Sequence, residues 1–143
     1  FQPNEYNSNF NTGVIYTRLA EAAREELNEI PYKEKERYEA AEKKMDDLYF
    51  QSIQYYEKAF EADPNSIDAM KILKSTYFYF REKKEGMMDK YNKMNERLTA
   101  LYKEIDILLN LAPCEEDCTD EENTMYSDMA NLKESMFDAG YGR

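Results

Sequence analysis

The sequence predicts an all-helical fold built from antiparallel helix pairs, and three observations carry this prediction. The 143 residues include only 4 Gly and 4 Pro, so little interrupts a helix. Apolar residues recur at steps of three and four through five segments, which is the spacing of one face of an α-helix. A turn at Asp63 and Pro64 separates two of these segments and indicates that consecutive helices fold back on each other.

The first two segments predict a long helical hairpin. The first helix is expected from Ser8 to Ile30, where it ends because Pro31 disfavours the α conformation in the preceding residue. The second helix is expected from Tyr32 to Ala62. Almost no loop separates the two helices, so we expect them to pack antiparallel. Their apolar faces are Tyr16, Ala20, Ala23, Leu27 and Ile30, then Tyr38, Ala41, Met45, Leu48, Ser52, Tyr56 and Ala59.

The third and fourth helices are predicted to differ in length. The third is expected from Ile67 to Arg81, with Ser66 as its N-cap. The fourth is expected from Lys84 to Leu111, too long for the third helix to cover. Its apolar residues alternate strictly in steps of four and three, and they are Met87, Tyr91, Met94, Leu98, Leu101, Ile105 and Leu108. The apolar residues in the second half of the fourth helix need another partner, either another helix of this chain or a second chain in a coiled coil.

A fifth helix is the favoured partner. Thr119 and Glu122 form the sequence signature of a capping box. The apolar residues that follow have the same spacing as the seam of the fourth helix, and they are Met125, Met129, Leu132 and Met136. We therefore expect residues 119–137 to fold back on residues 98–111 as an antiparallel capping helix.

The charge and composition narrow the function classes. A net charge of −11 disfavours nucleic acid and anionic membranes, because both attract clustered Lys and Arg. No apolar run approaches 18 residues, so no membrane insertion is expected. The chain has no His and no Gly-rich phosphate loop, which removes the usual general bases and nucleotide sites. We expect a non-enzymatic protein that uses no cofactor and binds other proteins.

Two cysteines lie in a short acidic segment. Cys114 and Cys118 are compatible with a disulfide, with two free thiols or with half of a metal site. The absence of His and of a second Cys pair argues against the metal site. The surrounding carboxylates offer a calcium site or, as the alternative, a solvated loop with acidic residues at a helix N-terminus.

The region from Tyr56 to Tyr77 resembles the junction between two tetratricopeptide repeats (TPRs). The positions that fit the repeat signature are Gly13, Tyr16, Ser52, Tyr56, Ala59 and Pro64 in a first repeat, and Met70, Leu73 and Tyr77 in a second. The departures are Asn9, Thr12 and Lys74 in place of the signature Trp, Leu and Gly, and a one-residue shift that puts Met87 and Tyr91 in the last slots. Small residues in this signature lie where helices cross, and aromatic residues fill the space between pairs.

The resemblance implies a short right-handed TPR-like solenoid. Residues 6–64 would form an elongated hairpin, residues 65–98 a near-standard one, and residues 99–143 a helix extension, an acidic cysteine loop and a cap. An elongated first hairpin is similar to that of some bacterial TPR proteins, which favours the cell envelope or periplasm, with the cytoplasm as the alternative. Pro3 lies where a preceding repeat would close, so further repeats are expected upstream.

The resemblance also implies a scaffold for protein–protein interaction, which docks a partner segment on the face of its first and third helices. The candidate residues are Phe10, Val14, Arg18, Lys71, Lys74, Ser75 and Phe78. The basic residues would attract an acidic group and the Phe rings would anchor apolar side chains. Alternatively, the charges form a solvated face and the rings cover neighbouring helices.

One known activity of the family is not implied. Some TPR proteins clamp a terminal carboxylate with Lys, Asn and Arg from three repeats, but Ser75 stands where the Asn is needed and there is no third repeat. The alternative function is a structural or oligomerisation module that uses the long hairpin and the heptad seam. We expect a monomer or a weak dimer.

Overall fold

The computed structural model describes residues 2–111, 119–138 and 140, and these residues form helices and turns without any strand. The five helices are α1 (Pro3–Glu29), α2 (Lys35–Ala62), α3 (Ile67–Tyr79), α4 (Met87–Leu111) and α5 (Asp120–Asp138). The prediction of an all-helical fold is confirmed. None of these helices combines the length and the apolar character needed to span a membrane.

The chain divides into two compact units, Phe1–Tyr91 and Asn92–Arg143. The division falls inside α4, so that helix contributes its first turn to one unit and the rest to the other. The domain boundary that the repeat resemblance places after residue 98 remains a prediction.

An antiparallel hairpin of α1 and α2 forms the body of the first unit. The Gln2 amide donates to the Ala62 carbonyl over 3.0 Å, and Lys44 lies 3.4 Å from Glu26, so the start of one helix meets the end of the other. The predicted faces point inward. Their fully buried members are Ala20, Ala23 and Leu27 on α1, and Met45, Ser52, Tyr56 and Ala59 on α2.

The hairpin differs from the prediction at both helix starts. α1 begins at Pro3 rather than Ser8. Proline is well tolerated at the first position of a helix, because the N–H that it lacks would have no hydrogen-bond partner there. α2 begins at Lys35 rather than Tyr32. A turn precedes it, closed by the Glu34 amide on the Pro31 carbonyl at 2.8 Å. The prediction that almost no loop joins the two helices was therefore wrong, since a short turn reverses the chain.

The third helix packs on α2 through the predicted apolar face. Ser66 caps α3 as expected, since its hydroxyl accepts from the Ala69 amide over 3.2 Å. The same hydroxyl lies 2.7 Å from the Tyr6 hydroxyl, which joins the beginnings of α1 and α3. The buried residues are Ile67, Met70, Leu73, Tyr77 and Phe80.

The second unit holds the rest of α4 together with α5. Thr119 and Glu122 form the predicted capping box, with reciprocal hydrogen bonds of 2.9 and 3.2 Å. Lys133 of α5 forms an ion pair with Asp106 of α4, and this bond raises the pKa of the lysine. Among the described residues of this unit, the buried apolar ones are Met94, Leu98, Ile105 and Leu109 on α4 and Met136 on α5.

Two predictions for these helices were wrong in detail. Leu108 is 47% exposed and Leu109 is buried. The predicted seam repeats every 3.5 residues while a straight helix turns every 3.6, so after three heptads the apolar face has rotated towards the next residue. Met125 is 60% exposed, although it was assigned to the buried face of α5; Met129 and Leu132 are half-buried.

Candidate functional site

An open groove of about 490 Å³ lies at the C-terminal end of α3. We call it the corner groove, and its lining residues are Ser75, Phe78, Tyr79, Arg81, Glu82 and Lys83. Ser75 and Phe78 are two of the seven residues predicted from the sequence. The others follow because α3 ends at Tyr79 and the charged turn before α4 begins at once.

The apolar wall of the corner groove is the ring of Phe78, which is 44% exposed. The Arg81 guanidinium lies 3.9 Å from the centre of this ring, and the Tyr91 ring lies 5.1 Å away. Arg81 also donates to the Phe78 carbonyl over 2.9 Å, which caps one of the last carbonyls of α3. The exposed ring is therefore held in a fixed position.

Tyr79, Asp46 and Lys83 form a hydrogen-bonded triad beside this ring. The Tyr79 hydroxyl donates to Asp46 over 2.6 Å, and Lys83 contacts the other carboxylate oxygen over 2.9 Å. Burial and the bond to Asp46 raise the pKa of Tyr79. Burial lowers the pKa of Lys83. Its bonds to Asp46 and Tyr79 raise this pKa by more than burial lowers it, so the pKa of Lys83 is above its usual value. Both groups keep their protons at neutral pH, and the triad fixes the turn on α2.

A second triad, with glutamate in place of aspartate, lies further along α2. The Tyr77 hydroxyl donates to Glu57 over 2.7 Å, and Lys90 donates to the same oxygen over 2.9 Å. Burial and the bond to Glu57 raise the pKa of Tyr77, which keeps the hydroxyl available as a donor. The triad ties the first turn of α4 to α2 and α3.

Of the remaining α3 residues of the predicted site, Lys74 lies near the Tyr91 ring. Lys74 is half-buried, and its ammonium lies 5.8 Å from the centre of the Tyr91 ring. Lys71 is also half-buried, one turn earlier on α3. The structure thus gathers Lys74, Ser75 and Phe78 at one end of the helix.

The α1 residues of the predicted site are placed differently. Phe10 is half-buried, stacked on Tyr6 at 5.4 Å and edge-on to Tyr56 at 5.5 Å, so its ring contributes to the hairpin core. Val14 is half-buried and Arg18 is exposed. A joint surface of α1 and α3 remains a prediction.

Sequence reasoning missed Arg81 and Lys83, which line the corner groove with Phe78, and Lys84, which follows them in the turn. The available signal was the run from Tyr77 to Lys84, in which four aromatic residues are followed by three basic residues among four. Its meaning depends on which rings the cations reach, and those rings include Tyr79 of α3 and Phe50 of α2.

The cysteine predictions fall outside the described part of the chain. Cys114, Cys118 and the carboxylates between them lie in residues 112–118. Within the residues that the structure describes, no group of three or more His, Cys, Asp or Glu side chains is arranged to hold a metal ion.

Comparison with known proteins adds no family assignment. No family model matches the sequence, and no significant match was found among curated proteins or solved structures. The function is therefore inferred from the residues and the geometry of this chain.

Proposed function

We propose that this chain is a non-catalytic scaffold that docks a segment of another protein on the surface of α3, at the corner groove. The observation that carries the proposal is the Phe78 ring, a large apolar side chain that is exposed yet held in place by Arg81 and Tyr91. A rigid exposed ring loses little conformational freedom when a ligand covers it. The polar groups of Ser75 and Lys83 at the same groove would orient the ligand.

The TPR-like architecture is part of the same proposal. Its support is the antiparallel pairing of α1 with α2, followed by α3 on α2, and the contact of Tyr56 with Gly13 at the helix crossing. The Asp63–Pro64 turn lies between the two proposed pairs. The burial of Met136 and the ion pair of Lys133 with Asp106 support α5 as a cap on the extension of α4.

The docking proposal predicts that random peptides displayed on phage can be selected on the protein through this groove. Peptides so obtained are expected to bind the double variant Lys71→Glu with Phe78→Ala at least about tenfold more weakly. The reason is that the variant removes the apolar wall and reverses a nearby charge. Fluorescence anisotropy measures the affinity, and circular dichroism checks that helicity is unchanged.

The matched control is Lys58→Glu with Phe137→Ala. It makes the same two chemical changes elsewhere, and Phe137 is as exposed as Phe78, at 44%. The control is expected to bind the selected peptides like the wild type. Equal affinity of the wild type and the groove variant, with intact helicity in both, would count against the groove.

The alternative is a structural or oligomerisation module. The heptad seam does not support it, because most of the seam is buried within a single chain, including Met87, Met94 and Leu98. The observation that favours it is on the long hairpin, which exposes Ile15 and Leu19 one turn apart on α1, at 57% and 49%.

Light scattering during size-exclusion chromatography separates this alternative from docking. If the hairpin face assembles chains, the mass should exceed that of one chain at micromolar concentration and return to it in an Ile15→Glu, Leu19→Glu variant. A monomeric wild type would contradict the alternative and leave the docking proposal unaffected.

A further inference from the structure

Residues 67–86 form a basic stretch in a strongly acidic protein. They contain five basic and three acidic residues, a net charge of +2, while the whole chain carries −11. At physiological ionic strength, charges of exposed groups are screened beyond about 8 Å. Asp46 of α2 lies 2.9 Å from Lys83 and lowers the local charge to +1. A ligand at the corner groove therefore responds to this local charge more than to the distant acidic residues.

Four cations of this stretch, and Lys90 just after it, lie over aromatic rings. The distances from the charged group to the ring centre are 5.8 Å for Lys74 on Tyr91, 3.9 Å for Arg81 on Phe78, 4.5 Å for Lys83 on Tyr79, 4.8 Å for Lys84 on Phe50 and 5.6 Å for Lys90 on Tyr77. A cation that rests on a ring is positioned before any ligand arrives. Less side-chain entropy is then lost when an anion binds to its open side.

Carboxylates of the chain neutralise only some of these cations. Lys83 and Lys90 are paired with Asp46 and Glu57 at 2.9 Å. Among the described residues, the carboxylate that Arg81 reaches is that of its neighbour Glu82, at 4.0 Å in an exposed pair. Among the residues that the structure describes, Lys84 has no carboxylate within ion-pair distance. The region thus keeps positive charge for a ligand.

We infer that the corner groove selects an acidic peptide segment, in which an apolar side chain packs on Phe78 and flanking carboxylates face Arg81, which lines the groove, and Lys84, which follows the groove residue Lys83 in the chain. The inference rests on the proposed docking function and adds the chemistry of the partner. The apolar ring and the surrounding cations are complementary to a segment that alternates apolar and acidic residues, and side-chain carboxylates satisfy the chemistry without a chain terminus.

The test uses the peptides selected on the wild type that lose binding to the Lys71→Glu, Phe78→Ala variant. These groove-dependent peptides are expected to be enriched in Asp and Glu. Replacing their acidic residues by Asn and Gln should weaken binding about tenfold. The Lys84→Glu variant should weaken the acidic peptides roughly threefold to tenfold, and added salt should reduce this difference, because the pairs are exposed.

Lys58→Glu is the control for the charge reversal. Lys58 is exposed and also lies over a tyrosine ring, that of Tyr55 at 5.4 Å, but it is on α2 away from the groove. It should change the affinity less than about twofold. Groove-dependent peptides that are neutral or basic would overturn the inference while docking stands. The same holds if Lys84→Glu weakens their binding no more than Lys58→Glu does. A selection without any groove-dependent peptide would overturn both.

Discussion

Replacing Tyr56 by alanine is expected to lower the free energy of unfolding by about 3–5 kcal/mol, the range for truncating a large buried aromatic side chain. The ring is 2% exposed, lies edge-on to Phe10, and carries a hydroxyl 3.1 Å from that of Thr17. Its loss leaves a cavity at the crossing of α1 and α2 that the two long helices cannot close. Urea denaturation followed by circular dichroism measures the change.

The matched test of this crossing is Gly13→Ala. A methyl group at Gly13 would stand 2.8–3.0 Å from three ring carbons of Tyr56, closer than carbon atoms approach without displacement. Helix propensity alone would make alanine more stable than glycine by up to about 1 kcal/mol. We expect the clash to outweigh this and to give a net loss of about 1–3 kcal/mol.

A double-mutant cycle isolates the cause. With Tyr56 already replaced by alanine, Gly13→Ala should become neutral or stabilising by about 0.5–1 kcal/mol, because only the propensity remains. Stabilisation by Gly13→Ala in the wild-type background would contradict the close packing of these two residues.

The second large effect is expected for Phe80→Ala, again about 3–5 kcal/mol. Phe80 is fully buried at the end of α3, with its ring 5.4 Å from Phe50 and 4.9 Å from Tyr79. Its amide and carbonyl also make the hydrogen bonds that end α3 and begin the turn. Truncation would leave the turn without its central packing residue, and chemical denaturation would show the loss.

Phe78→Ala is the control, because it changes the same residue type only two positions away. Phe78 is exposed at 44% and contacts Arg81 and Tyr91 at the surface, so its truncation should cost about 1 kcal/mol or less. Similar losses in both variants would mean that Phe78 is a core residue, and its role in docking would then lose its support.

Much of the secondary structure could be predicted because the relevant signals are local. The steps of three and four in α1, α2 and α3 identify the buried faces from neighbouring residues alone. The caps at Ser66 and Thr119 were equally readable, since a cap is a hydrogen bond between residues three apart. Exposure at Leu108 was mispredicted, since small deviations in helical pitch accumulate over several turns.

The candidate site was predicted only in part. Ser75 and Phe78 were found, because their spacing places them off the buried face of α3. The role of Phe10 was not predicted, because its contact with Tyr56 depends on how closely α1 approaches α2 at Gly13. A hydrophobic pattern shows which side of a helix is buried, but not which side chain of a neighbouring helix it meets.

The sequence by itself determined that the protein is helical, where its helices turn and which faces they bury, because helix periodicity and caps are encoded within a few residues. Only the tertiary structure decided that basic residues of the α3–α4 turn rest on rings from two helices, α2 and α3. Lys84 meets Phe50, 34 residues earlier in the chain, and Arg81 and Tyr91 hold Phe78 between them. Such contacts depend on how the helices pack, and packing brings together residues whose separation along the chain carries no signal.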